Sequence, residues 1–67
     1  MTPLRKLRKQ KDLTIEEVAE KTGIPFTTLW RIEHGLTRPK NQHIEKLVSF
    51  FNGDITELQI LFPTRYL

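Results

Sequence analysis

Five side chains in one short stretch carry most of the chemistry available to this chain. Phe26, Thr27, Trp30, Arg31 and His34 stand at i, i+1, i+4, i+5 and i+8, which on a helix is a single face. A guanidinium, a hydroxyl, an imidazole and two aromatic rings in one row suit the floor and walls of a nucleic-acid groove. Arg31 can make two hydrogen bonds to the O6 and N7 atoms of guanine, worth about 1–3 kcal/mol of discrimination. It can equally sit on a phosphate or in solvent. Thr27 can bond a base edge or a phosphate, or cap the helix. Phe26 and Trp30 can lie against thymine methyls or sugar edges, with the indole N–H donating to phosphate. Otherwise they need cover from a core or a partner.

The elements that must hold this row are legible around it. The stretch TIEEVAEKTGIPFTTLWRIEHG, residues 14–35, reads as two short helices joined by a tight turn at Gly23. Val18, Ala19, Ile24, Leu29 and Ile32 take the inward positions. Such a pair is a helix-turn-helix presenting its second helix to a groove. Thr14-Ile15-Glu16-Glu17 has the form of a capping box that starts the first helix of the pair. Gly23 supplies the left-handed backbone that leaves it. The acids Glu16, Glu17 and Glu20 read as a solvated face complementing the helix dipole, not as a catalytic pair. The second helix runs from Pro25 or Phe26 to about His34, and Gly35 stops it.

Before this stretch, Pro3–Gln10 predicts a helix with Leu4 and Leu7 as its apolar edge. Arg8 shares that inward side. It needs a buried carboxylate there, or else its stem snorkels to solvent, which spacing alone favours. After the stretch, Arg38 and Lys40 form a basic connection suited to phosphate contact. Pro39 opens a fourth helix to about Phe51, with Ile44, Leu47, Val48 and Phe51 on one face. Asp54-Ile55-Thr56-Glu57 reads as a second capping box. It starts a short fifth helix that packs Ile55, Leu58 and Leu61 inward and ends at Pro63. Ile60, Leu61, Phe62, Tyr66 and Leu67 are surplus apolar material that folds back on the core or meets a partner.

The whole is one small all-α domain over residues 1–67, with no repeat or linker. Net charge is +3 and the isoelectric point is about 9.6. The basicity is uneven: the first twelve residues hold five basic side chains against one acid. Cysteine is absent, which fits a reducing compartment, and a cytoplasmic location is expected. No apolar run approaches a membrane span, and the basic N-terminus lacks the apolar core of a secretory signal. His34 and His43 lie on different helices without further ligands at metal spacing. There is no arrangement of nucleophile, base and acid, and no phosphate-cradling glycine loop. No enzyme, cofactor, metal or small-molecule ligand is expected.

In order and spacing these pieces resemble the phage-repressor helix-turn-helix family, the Cro-like and cI-like DNA-binding domains. The resemblance covers about residues 4–58 and rests on LRKLRKQKDLT, EEVAEKTGIP, TTLWRIEHG, Pro39 and ITEL. It implies a five-helix domain that binds operator DNA as a sequence-specific transcriptional regulator, usually as a symmetric dimer. It implies a structural ion pair between Arg8 and Glu33, which raises the paired reading of Arg8 over the snorkelling one. It puts groove-reading positions at Phe26, Thr27 and Arg31, and phosphate contacts at Thr14, His34, Arg38 and Lys40. Two positions depart from the pattern. Ile15 stands where a glutamine is common, and Phe26 where a polar side chain is common; the two side chains could instead pack on each other. The expected partners are double-stranded DNA and a second copy, held weakly through helix 5 and the tail. The competing class is a protein-interaction module, an antirepressor or antitoxin-like adaptor that docks through Phe26 and Trp30.

Overall fold

The computed structural model describes residues 2–66, which form five α-helices, a C-terminal 3-10 turn and no strand. The helices are α1 (Pro3–Gln10), α2 (Ile15–Thr22), α3 (Phe26–Glu33), α4 (Asn41–Phe50) and α5 (Glu57–Leu61), followed by the turn Pro63–Tyr66. α2 packs chiefly on α3, while α1 and α4 meet α5. Their apolar stripes converge on one core, with Leu29 and Leu47 fully buried and Phe51, Ile24, Ile55 and Val18 nearly so.

Local chemistry sets most of the boundaries. Thr2 precedes α1 in extended conformation, and Pro3 occupies its first turn. At α2 the Glu17 N–H donates to the Thr14 hydroxyl oxygen and the Thr14 N–H donates to the Glu17 carboxylate, both at 3.1 Å. α2 ends on Gly23, whose φ of +76° is costly for a residue with a Cβ. Its N–H returns to the Ala19 carbonyl. The turn then drops Ile24 into the core and restarts the chain as α3.

Two boundaries differ from the sequence reading. Pro39 does not open α4. Lys40 is the extended cap residue, its carbonyl accepts the first helical bonds, and Pro39 lies buried just ahead of it. The cap of α5 is Thr56, not Asp54. The Thr56 hydroxyl accepts from the Gln59 N–H at 3.2 Å, and the Gln59 side-chain oxygen accepts from the Thr56 N–H at 2.9 Å. Asp54 instead pairs with Lys11 at 3.2 Å on the surface. This two-residue shift turns the helix: Ile60 enters the core, Leu58 faces outward at 56% exposure, and Leu61 stays partly buried. Ile55 is buried as expected, but in the segment before the helix.

Arg8 does not snorkel. Its Nε donates to Glu33 Oε2 at 2.6 Å and its Nη2 to Oε1 at 3.1 Å, while Nη1 donates to the Leu13 carbonyl at 2.7 Å. Glu33 is 1% exposed. The Thr2 hydroxyl donates to the Glu33 backbone carbonyl. Among the described residues, no buried side-chain polar atom lacks a partner. A two-armed, fully satisfied pair of this kind fixes direction as well as distance. It ties the C-terminal end of α3 to α1 and to the turn before α2.

Candidate nucleic-acid interface

α3 is held from behind. Leu29 and Ile32 anchor its inward stripe, and Glu33 is gripped by Arg8. The opposite face is therefore presented at a fixed angle. On it Phe26, Thr27, Trp30 and Arg31 are exposed and His34, the cap residue just past α3, is half-buried. Phe26 is 46% and Trp30 39% exposed, large values for aromatic rings. Thr27 does not cap the helix: the cap residue is Pro25, and no side chain bonds the first turn.

Two members of the row touch. The Trp30 and His34 rings stack with centroids 4.1 Å apart and planes 22° from parallel. The His34 Nδ1 lies 2.8 Å from the Trp30 backbone carbonyl. A carbonyl oxygen only accepts, so Nδ1 carries the proton in this contact. The neutral ring then offers Nε2 as an acceptor, and the charged ring offers it as a donor. The i, i+4 spacing of the two residues was the available signal for this stack.

The remaining candidates lie at the cap of α2 and in the connection from α3 to α4. Thr14 is exposed; its oxygen accepts from Glu17, which leaves its hydroxyl hydrogen free to donate outward. The Glu17 carboxyl is held below its ordinary range, first by the Thr14 backbone N–H, then by the Thr14 hydroxyl. Arg38 and Lys40 are exposed, and like Arg31 they make no salt bridge among the described residues. Ile15 is half-buried and packs against the core, while Phe26 stays outside it. Leu36, at 65% exposure in the loop after α3, was not singled out in the sequence. Among the described residues, no group of three or more metal-ligating side chains is brought together. Among the described residues, no helix is long and apolar enough to cross a membrane.

Residues 4–58 match the helix-turn-helix family. The chain is also 40% identical over 55 residues to the cryptic phage CTXphi transcriptional repressor RstR of Vibrio cholerae. The chain belongs to the phage-repressor type of the helix-turn-helix family. That match covers 82% of this chain and 50% of the relative, so the chain spans about half the length of the curated relative it matches. No solved structure matches it. Membership makes the exposed α3 row the surface to examine for DNA.

Proposed function

We propose that this domain is the DNA-reading part of a cytoplasmic transcriptional repressor and that it places α3 in the major groove of duplex DNA. The observation that carries this is the exposed row on α3, held rigidly from behind by the buried Arg8–Glu33 pair. The repressor name of the CTXphi relative supports the regulatory role. Arg31 reads a base edge, with Thr27 beside it, and Phe26 and Trp30 lie against the groove. Thr14, His34, Arg38 and Lys40 bond phosphates and set the register.

One such domain reads only a few base pairs, too few to stand out in a genome. Two copies on a palindromic site, with half-sites about 34 Å apart, would supply the specificity. Leu58 and Phe62, both exposed on α5 and just after it, are the material for the contact. Ile60 is buried in the monomer and Leu61 partly so, leaving a smaller patch than the tail composition promised. Leu67 and the Tyr66 side chain lie outside the described residues. A patch this small favours a weak dimer that forms on the operator.

Selection of binding sites from random duplex DNA tests the reading, followed by affinity measured against salt. A recovered palindrome whose binding falls steeply with salt is expected. Arg31→Ala should relax preference at one base pair, by roughly 1–3 kcal/mol, while Arg38→Ala should weaken all sites evenly. Equal weakening of every single-base variant by both changes removes Arg31 as a base reader. Failure to enrich any sequence, with salt-insensitive capture of a protein through Phe26 and Trp30, supports the adaptor reading.

A further inference from the structure

The two aromatic rings on α3 are the least ordinary feature of the row. Phe26 has no hydrogen-bonding group, yet nearly half of its surface is in solvent. Trp30 is exposed as well, but it is not loose. His34 stacks on one face of the indole and bonds back to the Trp30 carbonyl, so the ring is braced before any ligand arrives. A braced apolar wall loses little freedom on binding.

The major groove offers donors and acceptors at every base pair and one apolar group, the C5 methyl of thymine. Nothing else on a base edge there complements a phenyl ring. Phe26 and Trp30 are four residues apart, about 6 Å along the helix, so they address different base pairs. Arg31 is exposed on the same face as the rings, and Arg38 and Lys40 are exposed in the connection that follows α3. That charge suits a polyanion and selects DNA over an apolar protein partner as the occupant.

We propose that Phe26 and Trp30 read thymine methyl groups, so that the sites recognised by α3 carry T·A pairs facing these rings. The inference rests on the placement of α3 in the major groove proposed above. Phe26 supplies the larger share, because it is the more exposed of the two, at 46% against 39%. Trp30 supplies a second, fixed contact.

Uracil differs from thymine only by this methyl, which gives a direct test. Parallel selections use random duplex libraries made with thymine or with uracil. The thymine library is expected to yield a site with T·A pairs in each half. Replacing those thymines singly by uracil should lower affinity about fourfold per methyl, the factor matching burial of one methylene-sized group. Phe26→Ala should bind the thymine and uracil duplexes equally at one position, and Trp30→Ala at another. Thermal unfolding of both variants checks that the exposed substitutions leave the domain folded. The same site recovered from both libraries with equal affinity overturns the inference and leaves the groove-binding reading intact. So does undiminished thymine preference in both variants. No enrichment from either library overturns both.

Discussion

The two capping boxes of this chain make an instructive pair. Each has a threonine whose hydroxyl accepts from the third helical N–H, and each has a side chain that reaches back to the threonine N–H. At α2 the sequence offers one such box, Thr14 with Glu17, and the helix starts there. At α5 it offers two overlapping boxes, Asp54 with Glu57 and Thr56 with Gln59. The second prevails. Phe51, Ile55 and Ile60 are all buried, and Asp54 is engaged with Lys11 across the surface. A local signal determines a helix start only where it has no rival; where it has one, packing chooses.

The largest expected effect compares the anchored region around α3 with the α5 end. Replacing Arg8 by alanine strands Glu33 as a buried charge and should cost about 3–5 kcal/mol. Chemical denaturation measures it. Pairing Arg8→Met with Glu33→Leu should recover much of the loss. A cost under about 0.5 kcal/mol for the single change would mean that the pair does not anchor α3.

Within α5, Ile60→Ala should cost about 2–5 kcal/mol, because it empties part of the core. Leu58→Ala, two residues away and exposed, should stay within about 0.5 kcal/mol. It should lower two-copy occupancy of a palindromic duplex in sedimentation. The reverse order of stability losses would restore the Asp54 register.

The caps themselves come next. Thr14→Ala and Thr56→Ala should each cost about 1 kcal/mol. Asp54→Ala removes only an exposed ion pair and should cost less than about 0.5 kcal/mol. Equal costs for Asp54→Ala and Thr56→Ala in thermal unfolding would erase the distinction between the two boxes.

The smallest effect is on acid stability. Burial, and then the charges of Lys46 and Lys40, push the His43 imidazole below its ordinary value of 6.5. The unfolded chain therefore takes up this proton first, and stability declines as pH falls below about 6.5. Glu17 adds a second decline. Its carboxyl is held below the ordinary 4.5, so its contribution is present above that pH and is lost as pH falls through its own lower value. His43→Gln should flatten the first limb of a stability-against-pH curve, and Glu17→Gln the second. Curves unchanged by either variant would separate these groups from the acid response.

Much of the site is legible in the sequence. Leu29 and Ile32, three residues apart, take the inward face of α3 as Val18 and Ile24 do before it, so Phe26, Thr27, Trp30 and Arg31 fall outward by the geometry of a helix. Gly23 and Thr14 mark the ends of α2 because each meets a backbone requirement within a few residues of itself. Chain order alone thus determined the helix pair, its outward row and the family.

Tertiary structure decided what depends on partners distant in sequence. Spacing placed Arg8 inward and by itself favoured solvent for its head; the family resemblance implied Glu33, and only the fold closes that pair across 25 residues. Pro39 looked like a helix opener until burial held it ahead of the Lys40 cap. Leu58 and Ile60 are equally apolar, and no local rule says which of them faces in. Only the packing of α5 against α1 and α4 does, because hydrophobic burial is nondirectional and is settled by the surface a residue meets.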